Sequence, residues 1–279
     1  MITIKKISVF CLFLFTFALY AQDKSSIQLD YANNLFKSQQ YFDAITEYKR
    51  LLFFNSSNDY DFTVNMQIGQ CYKAGALFDN AVKFFSIAEK NATNSDQKYS
   101  AKIQQVRVNI LRKTTDRALD LLNDIEKSGL FVDKKDSINY WRGWTYMIAD
   151  NWHKASESFG NIASNHDLKK LCDGVLNKKV SVTFAKVISY ILPGSGQIYT
   201  GNYFSGIMSL GYNILFGYLS INSFAENRIF DGIATGSLLW LRFYRGNIEN
   251  AKNFAEEKNR EIANNTLRYL QNNYQGTKP

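Results

Sequence analysis

Four alanines recur at a fixed interval in the first half of this chain, and that interval restricts the fold more than any other feature. Ala44, Ala81, Ala118 and Ala155 lie 37 residues apart. An interval of this length is typical of repeat proteins, in which each unit is one pair of helices that buries its apolar face on the next unit. The sequence therefore predicts an all-α chain whose first half is a stack of about four helix pairs.

The neighbours of these alanines recur as well. Gly69 precedes Ala81 by twelve residues, Gly143 precedes Ala155 by the same distance, and an aromatic residue follows each of these alanines by four residues. Small residues let two helices cross closely, and aromatic side chains fill the space beside the crossing. The third unit has Val106 in place of the small residue, so we interpret it as degenerate. A helical bundle whose alanines align by chance is the alternative.

This spacing resembles that of the tetratricopeptide repeat family, whose usual period of about 34 residues is three residues shorter. The resemblance covers residues 25–166 and implies a curved solenoid that binds peptide segments or partner proteins on its concave surface. Transferred to this register, the family's concave positions are Asn33, Gln70, Lys73, Arg107 and Trp144. They predict a polar and basic groove with one aromatic anchor, suited to an extended or acidic segment.

A secretory signal is predicted at the start of the chain. Lys5 and Lys6 precede an uncharged run over residues 7–19, and Ala21 offers a small residue at a cleavage point. Leu19 stands where the cleavage rule requires a small residue, so an uncleaved anchor is the alternative. Either outcome predicts that the repeat domain is exported to the periplasmic side of a bacterial cell envelope.

Charge and composition narrow the possible partners. The net charge is +8, but basic residues are interleaved with acidic ones, which together with export argues against nucleic acid. Cys71 and Cys172 remain after cleavage, and their spacing does not imply a disulfide. His153 and His166 are the only histidines, and no cluster has the spacing of metal ligands. We therefore predict no catalytic residue, metal, cofactor or small-molecule substrate.

The second half of the chain is predicted to associate with a membrane. Residues 204–224 carry no charge, and a helix of this length, about 31 Å, matches a bilayer core of about 30 Å. A shorter apolar stretch over residues 229–244 contains Gly232 and Gly236, small residues on which a neighbouring helix packs closely in lipid. These features predict a membrane hairpin, with a re-entrant or interfacial second segment as the alternative.

A proline and glycine turn precedes this predicted hairpin. Its main residues are Pro193, Gly194, Gly196, Tyr199 and Gly201. The motif resembles the small two-transmembrane-helix domain family and the membrane modules attached to repeat domains in bacterial envelope proteins. That resemblance implies membrane insertion and no established catalytic residue. A phosphate-binding loop is disfavoured because no strand precedes the glycines and no lysine with serine or threonine follows them.

The sequence thus predicts five segments and one main function. The segments are a signal peptide (1–21), a repeat domain (22–168), a basic linker with an interfacial helix and the turn (169–203), the hairpin (204–245) and a polar helical tail (246–279). The predicted function is a membrane-anchored scaffold whose partners are proteins or peptides and membrane lipid. The alternative is an accessory subunit of a translocation, insertion or transport system in which the hairpin is the functional part.

Overall fold

The fold is known from a computed structural model that describes residues 24–55 and 58–279. The predicted signal peptide lies outside the described residues. Every regular element within these two ranges is helical, which confirms the expectation of an all-α chain. The chain divides into two compact units. The first unit runs through Lys169 and also includes Thr277–Pro279, and the second unit is Lys170–Gly276.

Helices of the first unit follow one another in pairs, and consecutive helices pack together. The described part begins with α1, which covers residues 24–37. It is followed by α2 (Tyr41–Phe54), α3 (Asp61–Ala74), α4 (Phe78–Lys90), α5 (Ser95–Leu111), α6 (Thr115–Lys127), a 3-10 turn (Val132–Lys134), α7 (Lys135–Ile148) and α8 (Trp152–Gly160).

The turn inside each pair is built in the same way four times. Gln39, Ala76, Lys113 and Asp150 have φ values of 61°, 57°, 61° and 57°, and they too lie 37 residues apart. In each turn the next residue donates its N–H to the carbonyl five residues earlier, which closes the end of the first helix. A left-handed conformation is unfavourable for non-glycine residues, so the packing of the helix pair holds each turn in place.

The recurring alanines and glycines lie at the helix crossings. Ala44, Ala81, Ala118 and Ala155 are fully buried. A Cβ atom on Gly69 would lie 2.5 Å from the ring of Phe85, and one on Gly143 would lie 2.5 Å from the ring of Phe159. The third pair places the buried residues Val106 and Leu122 at the same positions. Two medium side chains there replace one small and one aromatic residue.

The second unit contains the longest helices. Helix α9 (Asp167–Lys178) begins in the first unit and continues into the second. It is followed by α10 (Val182–Ile191), α11 (Ser195–Tyr199), α12 (Tyr203–Ala225), α13 (Ile229–Ala234), a π-helical turn (Thr235–Trp240) and α14 (Leu241–Asn273). The chain is thus helical from residue 229 to residue 273. The predicted boundary at 245/246 falls inside α14, because nothing at Gly246 ends the helix.

Polarity in the second unit is inverted over residues 182–247. Every residue buried in this range is Gly, Ala, Ser, Thr, Asn or Gln. Large apolar side chains of the same range are exposed, including Phe204, Ile207, Ile214, Ile221, Phe230 and Leu238. Within the described residues, Tyr203–Ala225 is the one helix long and apolar enough to cross a membrane by length and composition.

Candidate functional site

The predicted groove residues lie on the first helices of successive pairs. Asn33 is on α1, where its side-chain oxygen accepts a 2.6 Å hydrogen bond from the Tyr48 hydroxyl. Gln70 and Lys73 are on α3, and Arg107 is on α5; all four of these residues are partly buried. Trp144 on α7 is only 4% exposed. Its ring is therefore packed inside the first unit, and it is not the aromatic anchor that the sequence predicts for the groove.

Lys73 and Arg107 bring two positive charges together. Burial and the nearby Arg107 guanidinium lower the pKa of Lys73 to about 8, and burial also lowers the pKa of Arg107. Among the described residues Lys73 has no hydrogen-bonded or ion-paired acid. Two partly desolvated cations without a neighbouring carboxylate favour the binding of an acidic group.

Residues 277–279 belong to the same compact unit and contact Arg107 of this pair. The Arg107 Nη2 atom donates a 2.9 Å hydrogen bond to the carbonyl of Lys278. The hydroxyl of Tyr140 donates to the carbonyl of Thr277. Both bonds address the peptide backbone, so they do not require a particular side chain in the bound segment.

Two aromatic residues of α7 that are not among the predicted groove residues complete this site. Tyr140 supplies the second donor, and the guanidinium of Arg107 lies 5.0 Å from the ring centre of Trp141. A cation over an indole face is held in place electrostatically. Tyr140 lies one helical turn before Trp144, on the same face of α7. Extending the predicted groove positions by one turn of this helix would therefore have included Tyr140. We call Arg107, Tyr140, Trp141 and Lys73 the α5–α7 groove, although Lys73 itself is contributed by α3.

The second predicted site, the turn over residues 193–201, is a junction of closely packed backbones. Gly194 has a φ of +94°, and a Cβ atom there would lie 2.1 Å from the carbonyl oxygen of Gly206. A Cβ atom on Gly196 would lie 2.3 Å from the carbonyl oxygen of Ala185. Pro193, which is partly buried, lies two residues after the end of α10. A side chain at either glycine would therefore force apart two elements of the unit.

Asn247 on α14 holds this junction together. Its side-chain oxygen accepts hydrogen bonds from the N–H of Gly194 at 2.7 Å and from the hydroxyl of Ser209 at 3.0 Å. Its side-chain amide donates to the carbonyl of Ser189 at 3.0 Å, and its own carbonyl accepts from Gln197 at 3.2 Å. Asn247 lies in the segment predicted to be a polar helical tail. Only its contact with a turn 53 residues earlier reveals its role.

The remaining predicted residues of this unit have separate contacts. The hydroxyl oxygen of Tyr199 accepts a 3.2 Å hydrogen bond from the N–H of Ser181. Gly201 has a φ of +91° and no neighbour within 4 Å of an added Cβ atom, so it serves the backbone turn alone. A Cβ atom on Gly232 would lie 2.9 Å from the Phe224 ring, and one on Gly236 would lie 2.7 Å from the Ser220 hydroxyl oxygen. These two glycines therefore face α12.

The described residues contain no group of three His, Cys, Asp or Glu side chains that could hold a metal ion. Two clusters described above are the α5–α7 groove, whose donors contact a peptide backbone, and the Asn247 junction, which ties helices together. A scan against protein-family models finds no match, and a search of curated proteins finds no significant similarity.

Proposed function

We propose that the chain is an exported, membrane-anchored scaffold of a bacterial cell envelope, in which a tetratricopeptide-like solenoid binds extended segments of partner proteins. The α5–α7 groove carries this proposal, because Arg107 and Tyr140 donate hydrogen bonds to two successive backbone carbonyls. Backbone recognition of this kind suits extended polypeptides of varied sequence.

The charge of the groove narrows the partner's chemistry. Lys73 and Arg107 are both partly buried, and their charges repel each other. A carboxylate placed between them would attract both charges, and this attraction would be stronger there than on a fully solvated surface. The partner segment is therefore proposed to be extended and to carry at least one acidic residue.

Membrane anchoring is supported by the inverted polarity of residues 182–247. Large apolar side chains such as Ile214 and Phe230 are exposed, while polar side chains such as Asn213 and Ser220 are buried. In water this arrangement would expose a large apolar surface. In a bilayer the apolar surface faces lipid, and the buried polar groups bond to neighbouring helices.

Site-specific photo-crosslinking in intact cells tests the scaffold. A photoreactive residue replaces Gln70, which is on a first helix of the repeat, or Lys83, which is on the second helix α4 as the matched control. We expect a crosslinked species of increased mass from position 70, none from position 83, and loss of the species when Arg107→Ala is added. Equal crosslinking from both positions, or persistence with Arg107→Ala, would rule out the groove.

One observation favours the accessory function as a second candidate. The side-chain oxygens of Gln197 and Asn213 are buried and lack a hydrogen-bond partner among the described residues. Unsatisfied polar groups at membrane depth commonly serve function rather than stability. If Asn213→Leu leaves the fold intact but abolishes complementation of a deletion strain, the second unit is the working part. Full complementation by this variant leaves the scaffold function in place.

A further inference from the structure

We infer that residues 277–279 are a built-in ligand of the α5–α7 groove, which a partner segment must displace. This inference rests on the proposed function and adds a regulation of the same site. Residues 277–279 occupy this groove, because the carbonyls of Lys278 and Thr277 accept the hydrogen bonds of Arg107 and Tyr140. The groove is therefore closed to a partner while this segment is bound.

Residues 277–279 follow the end of α14 and belong to no helix. Helix α14 ends at Asn273, and Tyr274 adopts an extended conformation with φ −74° and ψ 125°. No helix follows it to residue 279. The two donors come from different helix pairs, Arg107 from α5 and Tyr140 from α7. A segment that bridges two successive pairs occupies the groove where a partner segment would also bind.

The built-in ligand leaves part of the groove unsatisfied. The Nε atom of Arg107 is buried without a hydrogen-bond partner among the described residues. No acidic side chain among the described residues pairs with the Lys73 ammonium. A partner segment with a carboxylate can engage both groups and gain interactions that residues 277–279 do not make. We therefore expect an extended segment with an acidic residue to bind the groove more tightly and to displace the built-in ligand.

Tethering makes even a weak contact effective. A segment attached by a short flexible link has an effective concentration of about 1 mM. If the isolated segment binds with a dissociation constant of about 100 μM, the tethered segment occupies the groove in about ten of every eleven molecules. The apparent affinity for a competing peptide then falls about tenfold.

A competition experiment measures this effect. The probe is a fluorescein-labelled peptide with the sequence of residues 273–279, and its fluorescence anisotropy is followed with the purified chain in detergent. We expect a variant lacking residues 277–279 to bind the probe about tenfold more tightly than the intact chain. Asn264→Ala, an exposed change on α14, serves as the control and should bind like the intact chain.

Two further variants identify the donors. Tyr140→Phe removes only the hydroxyl group, and Arg107→Ala removes the guanidinium; in the chain lacking residues 277–279, each should weaken probe binding at least fivefold. Equal probe affinity for the intact and shortened chains, or no binding by the shortened chain, would overturn the inference. So would unchanged affinity of both donor variants.

Photo-crosslinking within one molecule separates this inference from the proposed function. A photoreactive residue at position 278 should crosslink to peptides of α5 or α7 in the purified chain, without an increase in mass, whereas one at position 264 should not. Absence of this crosslink contradicts the built-in ligand. If it forms while position 70 captures nothing in cells, residues 277–279 occupy the groove but the scaffold function fails.

Discussion

The two units of this chain use opposite solutions to the problem of packing helices. In the first unit the largest fully buried side chains include Trp152, Tyr48, Phe85 and Phe159. Over residues 182–247 of the second unit, the buried residues are all small or polar. An apolar interior stabilises a fold in water because burial removes apolar surface from solvent. A small and polar interior is suited to lipid, where close backbone contact and hydrogen bonds drive helix association.

Glycine illustrates the difference. In the first unit Gly69 and Gly143 make room for an aromatic ring, which is a side chain and can shift without movement of the backbone. In the second unit Gly194 and Gly196 make room for backbone carbonyls, which move only if a helix moves. The same residue type therefore tolerates change to a different degree in the two units. The five predictions below test this contrast in order of decreasing expected effect.

The largest effect is expected for Gly194→Ala. Its Cβ atom would lie 2.1 Å from a backbone oxygen, at a φ of +94°. Overpacking costs up to about 3 kcal/mol and the left-handed conformation about 1 kcal/mol more, so we expect a loss of about 4 kcal/mol. Thermal unfolding in detergent measures it. Gly211→Ala on α12, where an added Cβ atom meets nothing within 4 Å, should not be destabilising, and a similar loss there would contradict the close approach at Gly194.

Lysine substitutions at exposed apolar residues compare the surroundings of the two units. Ile214, at the middle of α12, is 63% exposed, and Phe53 on α2 is 82% exposed. If α12 crosses a bilayer, Ile214→Lys costs about 3 kcal/mol of insertion free energy. If the first unit faces water, Phe53→Lys should change stability by less than about 0.5 kcal/mol. Carbonate extraction and a glycosylation-based insertion assay report the first effect; normal integration of Ile214→Lys would argue against a span.

Asn247→Ala removes the side chain that holds the second unit's junction. The N–H of Gly194 and the carbonyl of Ser189 lose their partner within a buried site. Each unsatisfied buried group costs about 1–3 kcal/mol, part of which relaxation recovers, so we expect a loss of about 2–3 kcal/mol. Denaturant unfolding in detergent is the measurement. Asn264→Ala, an exposed change on the same helix, is the control and should have no measurable effect.

Ala81→Leu overpacks the first unit at one of the recurring crossings. Ala81 is fully buried, and an added side chain there costs about 2 kcal/mol, within the usual range for overpacking. Ala155→Leu should behave alike because it occupies the same position in the fourth pair. Lys83→Ala, also on α4, should have little effect. Thermal melts in which Lys83→Ala equals the alanine variants would remove the support for a common repeat register.

The smallest effect concerns the charge of Lys73. Its pKa is lowered to about 8 in the folded chain, below the ordinary value of about 10.4 in the unfolded chain. The unfolded chain therefore binds more protons between these two pH values, and this side chain contributes increasing stability as the pH rises through that range. Partial exposure reduces the gain to about 1 kcal/mol.

The difference between the intact chain and Lys73→Met isolates this contribution. Burial raises the pKa of the Cys71 thiol to about 12, which lowers stability above its ordinary pKa, but both chains share this group. At pH 7 we therefore expect Lys73→Met to be more stable than the intact chain by about 1 kcal/mol, and at pH 9.5 this difference should be smaller. Denaturant unfolding at the two pH values measures both differences. A constant difference would show that Lys73 does not titrate in this range.

The all-helical fold and the consecutive pairing of helices were predictable because both depend on local periodicity. The interval between Ala44, Ala81 and Ala155 marks the buried face of successive pairs. The third pair was interpreted as degenerate because Val106 stands in place of the small residue, with Leu122 keeping the register of the second helix. The structure nevertheless buries both residues and keeps the same turn at Lys113. Total side-chain volume at a crossing is retained more readily than residue type.

The sequence by itself determined the helical periods, the 37-residue interval and the uncharged stretch within α12, since each is a pattern of near neighbours. Only the tertiary structure decided that Trp144 is buried, that Asn247 holds a turn 53 residues away and that residues 277–279 meet Arg107 171 residues earlier in the chain. Contacts of this kind depend on where whole helices come to lie. That placement is set by the sum of many weak packing interactions, which no local pattern records.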